Sequence, residues 1–411
     1  MSLARWSLFA AMIAAAGLPI YIHAPKVYVD SYGLSLTALG VTLAALRLID
    51  VVQDPLLGWL AEATRPRRGL WVAGASALMA ASMLGLFAVP PPMAPLAWFA
   101  LTLTGVFSAF SFLTICFYAE GVAFAARLGA GGHVRLASWR EAGSLLGVCA
   151  AAVAPVALLP LTGAPFAAFA IGFAGLALIA TYAMRRNWGH GAPARAENPL
   201  ALFRPVLADP LARRLLLIAL LNAAPVAVTS TLFLFFVESR LAAPGLEGPL
   251  LLVFFLSAAA STPLWLRAAR RWGEKRSLLA GMALAILAFL GALTLGAGDA
   301  ALFAAICAAS GAALGADLML LPAIFARRLE TLGKGGEAAA FGLWNFVSKL
   351  SLALAAATLL PALQAFGFAP GAANSAQALT ALSLLYAGVP CALKLLAIGL
   401  LARTDPAPRV G

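Results

Sequence analysis

The chain has 411 residues, 63% of them hydrophobic and only 11% charged, with a mean hydropathy of +0.95. That balance excludes a soluble globular protein of this length. The formal net charge of +12 would suit a polyanion-binding protein, but most of the basic residues fall at the chain ends or in alternate connections between apolar segments, which is a record of membrane topology.

Apolar stretches of about 20 residues, the length that crosses a hydrocarbon core as a helix, recur twelve times. They are centred near residues 16, 49, 79, 107, 148, 173, 226, 256, 287, 313, 350 and 389. Short connections and abundant Ala and Leu, with no alternating pattern of about ten residues, predict helices and not a β-barrel. The first span has no acid between Phe9 and Val29. The start, Met1 to Gly17, lacks a small-residue cleavage site followed by a soluble domain, so it is expected to be the first span and not a removable leader.

The second span holds the most costly residues of the chain. Asp50 and Asp54 lie four apart on one helix face, with Arg47 about one turn from Asp50. A carboxylate at mid-bilayer costs about 2.5–3.5 kcal/mol on insertion scales. Two of them on one face are suited to hold a monovalent cation or a proton. The following turn, Gly58-Trp59-Leu60-Ala61-Glu62-Ala63-Thr64-Arg65-Pro66-Arg67-Arg68-Gly69, sets an acid among clustered arginines.

Further polar residues at depth are Thr114, Tyr118 and Glu120 in the fourth span and Arg140 with Glu141 at the start of the fifth. A polar break from about Arg185 to Arg214, containing Asp209-Pro210, divides six spans from six. It predicts an N-terminal bundle (1–184), a cytoplasmic linker (185–212, containing His190) and a C-terminal bundle (213–411). Asn222, Thr229, Ser230 and Thr231 in the seventh span are read mainly as bonding their own helix.

An offset of 208 residues aligns Asp54-Pro55-Leu56 with Thr262-Pro263-Leu264 and Arg68-Gly69-Leu70 with Arg276-Ser277-Leu278. In that alignment Asp50 faces Ala258, Asp54 faces Thr262 and Arg47 faces Phe255, so the scaffold does not require those charges. Counting residues at about 1.5 Å each puts Asp50, Asp317 of the tenth span and Lys349 of the eleventh at a similar depth. Asn345 and Ser348 make the Lys349 face polar. Asp317 is expected to bind solute or to pair with Lys349. Arg47 and Lys349 against the three aspartates leave one net negative charge, which one cation or proton would cancel, although Lys394 of the twelfth span sits near enough to disturb that balance. The four cysteines lie in spans without metal-type spacing, and the three histidines are scattered.

Most of the Lys and Arg fall at the N-terminus, after even-numbered spans or in the C-terminal tail, whereas Lys26 and Arg240 lie opposite. This places both termini in the cytoplasm of a bacterial-type inner (plasma) membrane.

The segment Asp30-Ser31-Tyr32-Gly33-Leu34-Ser35, followed by Arg47-x-x-Asp50-x-x-x-Asp54-Pro55-x-x-Gly58-Trp59, and the segment Arg135 to Arg140 resemble the glycoside–pentoside–hexuronide cation symporters, the melibiose permease group of the major facilitator superfamily. Lys349 falls where that family has its helix 11 lysine. The resemblance implies an all-α membrane protein with the major facilitator fold, twelve transmembrane helices in two pseudo-symmetric halves. It implies Asp50, Asp54 and Lys349 at a cation site, and it implies that Gly58, Glu62, Arg65 and Arg68 brace a cytoplasmic gate. Solute would meet Arg47, Thr114, Tyr118, Arg140, Asp317 and Asn345. The family's sugar-binding carboxylates on helices 1 and 4 are absent here, with Thr114 at the second position, which points away from a galactoside and toward a less hydroxylated solute.

The expected function is cation-coupled (Na⁺ or H⁺) secondary transport of a small solute such as a sugar or glycoside by alternating access, not enzymatic turnover. The expected partners are the solute, the monovalent cation and the bilayer. No other cofactor, no nucleic acid and a monomeric state are expected. Two alternatives stay open: a proton-coupled exporter of an apolar solute or lipid, and a membrane sensor or scaffold without transport.

Overall fold

The computed structural model describes residues 3–189, 199–332, 336–369 and 374–404. Linker residues 190–198, which include His190, and the side chain of Arg47 lie outside the described residues. Every expected span centre falls inside a long helix. The helices are α1 (Leu3–Tyr32), α2 (Leu36–Ala63), α3 (Arg68–Phe87), α4 (Pro95–Ala126), α5 (Gly132–Leu158) and α6 (Pro165–Met184). They continue with α7 (Pro210–Arg240), α8 (Glu247–Trp272), α9 (Glu274–Ala292), α10 (Ala300–Leu332), α11 (Glu337–Ala365) and α12 (Ala376–Ala402). Among the described residues nine of these are long and apolar enough to cross a membrane. The other three, α1, α2 and α5, have 30, 28 and 27 residues, more than the roughly 20 a crossing needs.

Local chemistry sets the helix starts. Ser35 and Asp209 cap α2 and α7 by accepting from the amides of Ala38 and Ala212, and Ser375 caps α12 through Ala378. Proline opens α4, α6 and α7, where its missing N–H costs nothing. Helix α7 therefore begins at Pro210, within the stretch read from sequence as linker.

The chain forms two compact units: residues 1–206 with 332–346, and residues 207–331 with 347–411. Helix α11 contributes its first residues to the first unit and the rest to the second. In the first unit α1 lies along α5, and α4 packs on α2 and α3. Glycines make the α1–α5 contact close: a methyl added at Gly143 or Gly147 would meet the carbonyl oxygen of Ser7 or Ala11 at 2.1 or 2.3 Å. In the second unit α12 packs on α7 and α9, over an apolar core built from Phe233, Phe236, Phe289, Phe303 and Tyr386.

Two helices of this unit each contain one π-helical turn, Phe236–Arg240 in α7 and Leu384–Gly388 in α12. They meet through a stacked pair, Phe236 on Tyr386, with ring centroids 4.2 Å apart.

Candidate functional site

The acid pair of α2 is buried: Asp50 is 6% exposed and Asp54 0%. Pro55 follows directly and has no N–H to give the carbonyl of Val51, so the helix is locally short of a bond beside the acids. The Gln53 amide donates to Asp50 Oδ1 at 2.9 Å. The Ser111 hydroxyl, from α4, donates to the same oxygen at 3.2 Å, and Ser108, nearly one turn earlier, donates to Gln53 Oε1 at 2.8 Å. The result is a cluster of carboxylate, amide and hydroxyl oxygens that ties α2 to α4. Hard monovalent and divalent cations prefer oxygen donors of this kind.

Sequence reasoning named Asp50 and Asp54 but missed Gln53, Ser108 and Ser111. The available signal was their spacing, since Gln53 follows Asp50 by three positions and the two serines are also three apart, so each pair shares a helix face.

Further along α4, Tyr118 comes together with Arg140 of α5. The Arg140 guanidinium lies 3.7 Å from the centre of the Tyr118 ring. Its Nε donates to Glu141 Oε1 at 2.8 Å, and the Tyr118 hydroxyl donates to that oxygen at 3.2 Å. Phe341, from the start of α11, packs its ring 5.1 Å from Tyr118. Two buried polar atoms in this stretch make no hydrogen bond among the described residues: Arg140 Nη2 and the hydroxyl of Thr114, one turn before Tyr118. A buried donor without a partner is costly.

The basic turn after α2 forms a buried charge network. Arg65 Nη1 donates to Glu62 at 2.8 Å and to Glu337, the first residue of α11, at 3.0 Å. Arg68 donates to Glu120 at 3.3 Å and to the carbonyl of Ala61 at 2.9 Å, and the Gly189 amide also reaches Glu120. Above it α2 and α11 cross at two glycines. A methyl on Gly58 would meet the Ala338 carbonyl oxygen at 3.0 Å, and one on Gly342 would meet that of Asp54 at 2.8 Å. Glu120 and Glu337 complete the expected group of Gly58, Glu62, Arg65 and Arg68.

The second unit contains a separate buried cluster. The Lys394 ammonium of α12 donates to Asp317 of α10 and to Asn222 of α7. Sequence reasoning gave Asp317 to solute or to Lys349; the lysine that meets it in the structure is Lys394, and its Oδ1 is buried without a hydrogen bond among the described residues. Asn345 and Lys349 are half-buried on α11, Asn345 in the first unit and Lys349 in the second. All four cysteines are free and buried, and no group of three potential metal ligands occurs among the described residues.

With this geometry established, comparison with known proteins is informative. The family profile described as MFS/sugar transport protein matches residues 6–405. No curated protein matches the sequence. Among solved structures, a bacterial homologue of the iron transporter ferroportin in an outward-facing state superposes with a TM-score of 0.72 at 16% identity, covering 98% of this chain and 99% of that one. A second structure of such a homologue, with soaked iron, gives 0.72 at 15% identity over the same shares. At these identities the likeness is one of fold.

Proposed function

Because the chain belongs to the MFS/sugar transport protein family, and is thus a multi-pass membrane transporter and not an enzyme, we propose that it couples movement of a small solute to a monovalent cation held by Asp50 and Asp54. The observation that carries this reading is the buried oxygen cluster of Asp50, Gln53 and Ser111 beside Asp54. An acid pair inside a membrane is costly unless a ligand repeatedly uses it. Na⁺ or H⁺ neutralises the pair, and its release restores the charge that drives the next cycle. Lys349 is assigned to the same step on the melibiose permease resemblance.

Thr114, Tyr118 and Arg140 form the solute-facing patch. A neutral hydroxyl at Thr114, in place of an acid, favours a sugar or glycoside with fewer hydroxyl groups to grip. The Arg65–Glu337 pair and the Gly58–Gly342 crossing hold the start of α11 against α2, and their separation is the gating movement. The basic turns face the cytoplasm of an inner membrane, and the protein works as a monomer.

The test uses purified full-length protein and the coupling ions themselves. Na⁺, Li⁺ and protons should each raise or shift the melting temperature of the native chain by mass action. Asp50→Asn and Asp54→Asn should remain folded yet lose the Na⁺ response. If both variants keep the native response to Na⁺ and to pH, the assignment of the acid pair is wrong.

A further inference from the structure

A groove of about 390 Å³ runs over the first unit between α2, α3 and α4. Its walls include Leu57, Leu70, Trp71, Gly74 and Leu78, and Ser108 supplies its one hydroxyl. Bilayer lipid covers any apolar surface, so three features have to distinguish this one.

The first is charge. Arg65 and Arg68 of the basic turn are buried and engaged by Glu62, Glu120 and Glu337. Arg67 between them is exposed and makes no ion pair among the described residues. The second is position. Leu70, Trp71, Gly74 and Leu78 follow i, i+3 and i+4 spacing on the stripe of α3 that lines the groove, and Arg67 is the N-cap residue directly before that helix. From Leu70 to Leu78 the helix rises roughly 12 Å at 1.5 Å per residue, most of the roughly 15 Å that half of a 30 Å hydrocarbon core provides. The groove therefore has the depth of one leaflet with a cation at its headgroup end. The third is connection: Ser108 in the groove wall donates to Gln53, which donates to Asp50.

We propose that this groove binds one anionic phospholipid from the leaflet bordering the basic turn, an acyl chain along α3 and the phosphate on Arg67, and that its occupancy is felt at Asp50 through Ser108 and Gln53. The second clause rests on reading Asp50 as an ion ligand, whereas the first does not. A planar guanidinium matches phosphate oxygens in two-point contact, and a basic residue near an anionic lipid surface adds about 1 kcal/mol.

Native mass spectrometry of the purified chain, with phosphatidylglycerol and phosphatidylcholine of identical acyl chains as probes, tests the first clause. Phosphatidylglycerol should be retained about fivefold over phosphatidylcholine, close to the 1 kcal/mol expected of one arginine. Arg67→Gln should erase the preference. Gly74→Phe should displace both lipids by filling the groove, and it should fold, because a Cβ at Gly74 meets nothing within 4 Å. Equal retention of the two lipids, or retention unchanged by both variants, overturns the proposal and leaves only ordinary annular lipid.

The second clause is tested by the Na⁺-induced melting shift, measured with and without phosphatidylglycerol in native protein and in Ser108→Ala. A lipid effect on the shift that disappears in Ser108→Ala supports it. A shift indifferent to lipid overturns the coupling and leaves the lipid site standing. A shift absent altogether, with lipid retention intact, counts against the ion site and not against the groove.

Discussion

The crossing of α2 with α4 in the first unit and that of α8 with α10 in the second occupy repeat-related positions, yet they are built in opposite ways. The first is bridged by side chains, Ser111 to Asp50 and Ser108 to Gln53. The second is closed by backbone: a methyl on Gly311 would lie 2.1 Å from the Phe254 carbonyl oxygen, and one on Gly315 would lie 2.8 Å from that of Ala258. Ser261 and Trp265 only finish that contact by donating to the carbonyl of Ala312. Ala258 and Thr262 stand where α2 has Asp50 and Asp54, and both are buried. The same scaffold thus closes tightly on backbone at one crossing, and it keeps polar side chains between the helices at the other.

The contrast extends to the buried acids. On α2 and α4 the partners of Asp50 include a neutral amide and a neutral hydroxyl, whereas the partners of Asp317 include an ammonium group. Removing one member of a buried ion pair costs about 3–5 kcal/mol because the other is left charged in a low-dielectric interior. Lys394→Met should therefore lower stability by about that amount, the largest effect expected here. Asp317→Asn combined with Lys394→Met should recover most of it in thermal unfolding of purified protein. A double variant as unstable as the single would mean that Asp317 does more than pair.

Next in size is the glycine contact. Gly311→Val should destabilise by about 1–3 kcal/mol through overpacking, read as a lowered melting temperature. Ser111→Ala, at the polar crossing, should leave folding nearly unchanged and instead weaken Na⁺ binding roughly tenfold, since a hydrogen bond to a charged group contributes about 1.5 kcal/mol or more. If the two effects were exchanged, the division into a packed crossing and a binding crossing would be wrong.

The smallest effect lies outside the spans, at the cap of α7. The Arg328 guanidinium bonds both oxygens of Asp209, at 3.0 and 2.5 Å, and together with the Ala212 amide holds its carboxyl below the usual carboxylate range. A depressed carboxyl stabilises the fold fully above its unfolded value of about 3.9 and loses that contribution as pH falls through its folded value. Asp209→Ala should cost about 1 kcal/mol near neutral pH, as loss of a helix cap does. The gap between variant and native should close as the medium is acidified below the carboxylate range.

Much of this fold was legible because membrane helices are written in long apolar runs, and all twelve expected centres fell inside helices. The acid pair was legible because two charges in such a run stand out against their surroundings. Ser108 and Ser111 were not, because a serine in a span most often bonds its own backbone, as Ser310 does with Ile306. Partners far apart in sequence were also hidden. Depth counting placed Asp317 level with Lys349, but height along the membrane does not say which helix faces which, and the lysine that arrives comes from α12. Nothing in the sequence around Glu337 announces Arg65.

The two π-helical turns, joined through Phe236 and Tyr386, carry a genetic consequence. Each wide turn amounts to a single extra codon in an otherwise regular helix, and each rotates everything beyond it by roughly one residue's worth of arc. Losing that codon in one helix alone would pull its ring out of the stack, while losing it in both would let the rings move together. Descendants of this chain should therefore gain or lose these insertions as a couple, so that the history of one helix can be read in the other.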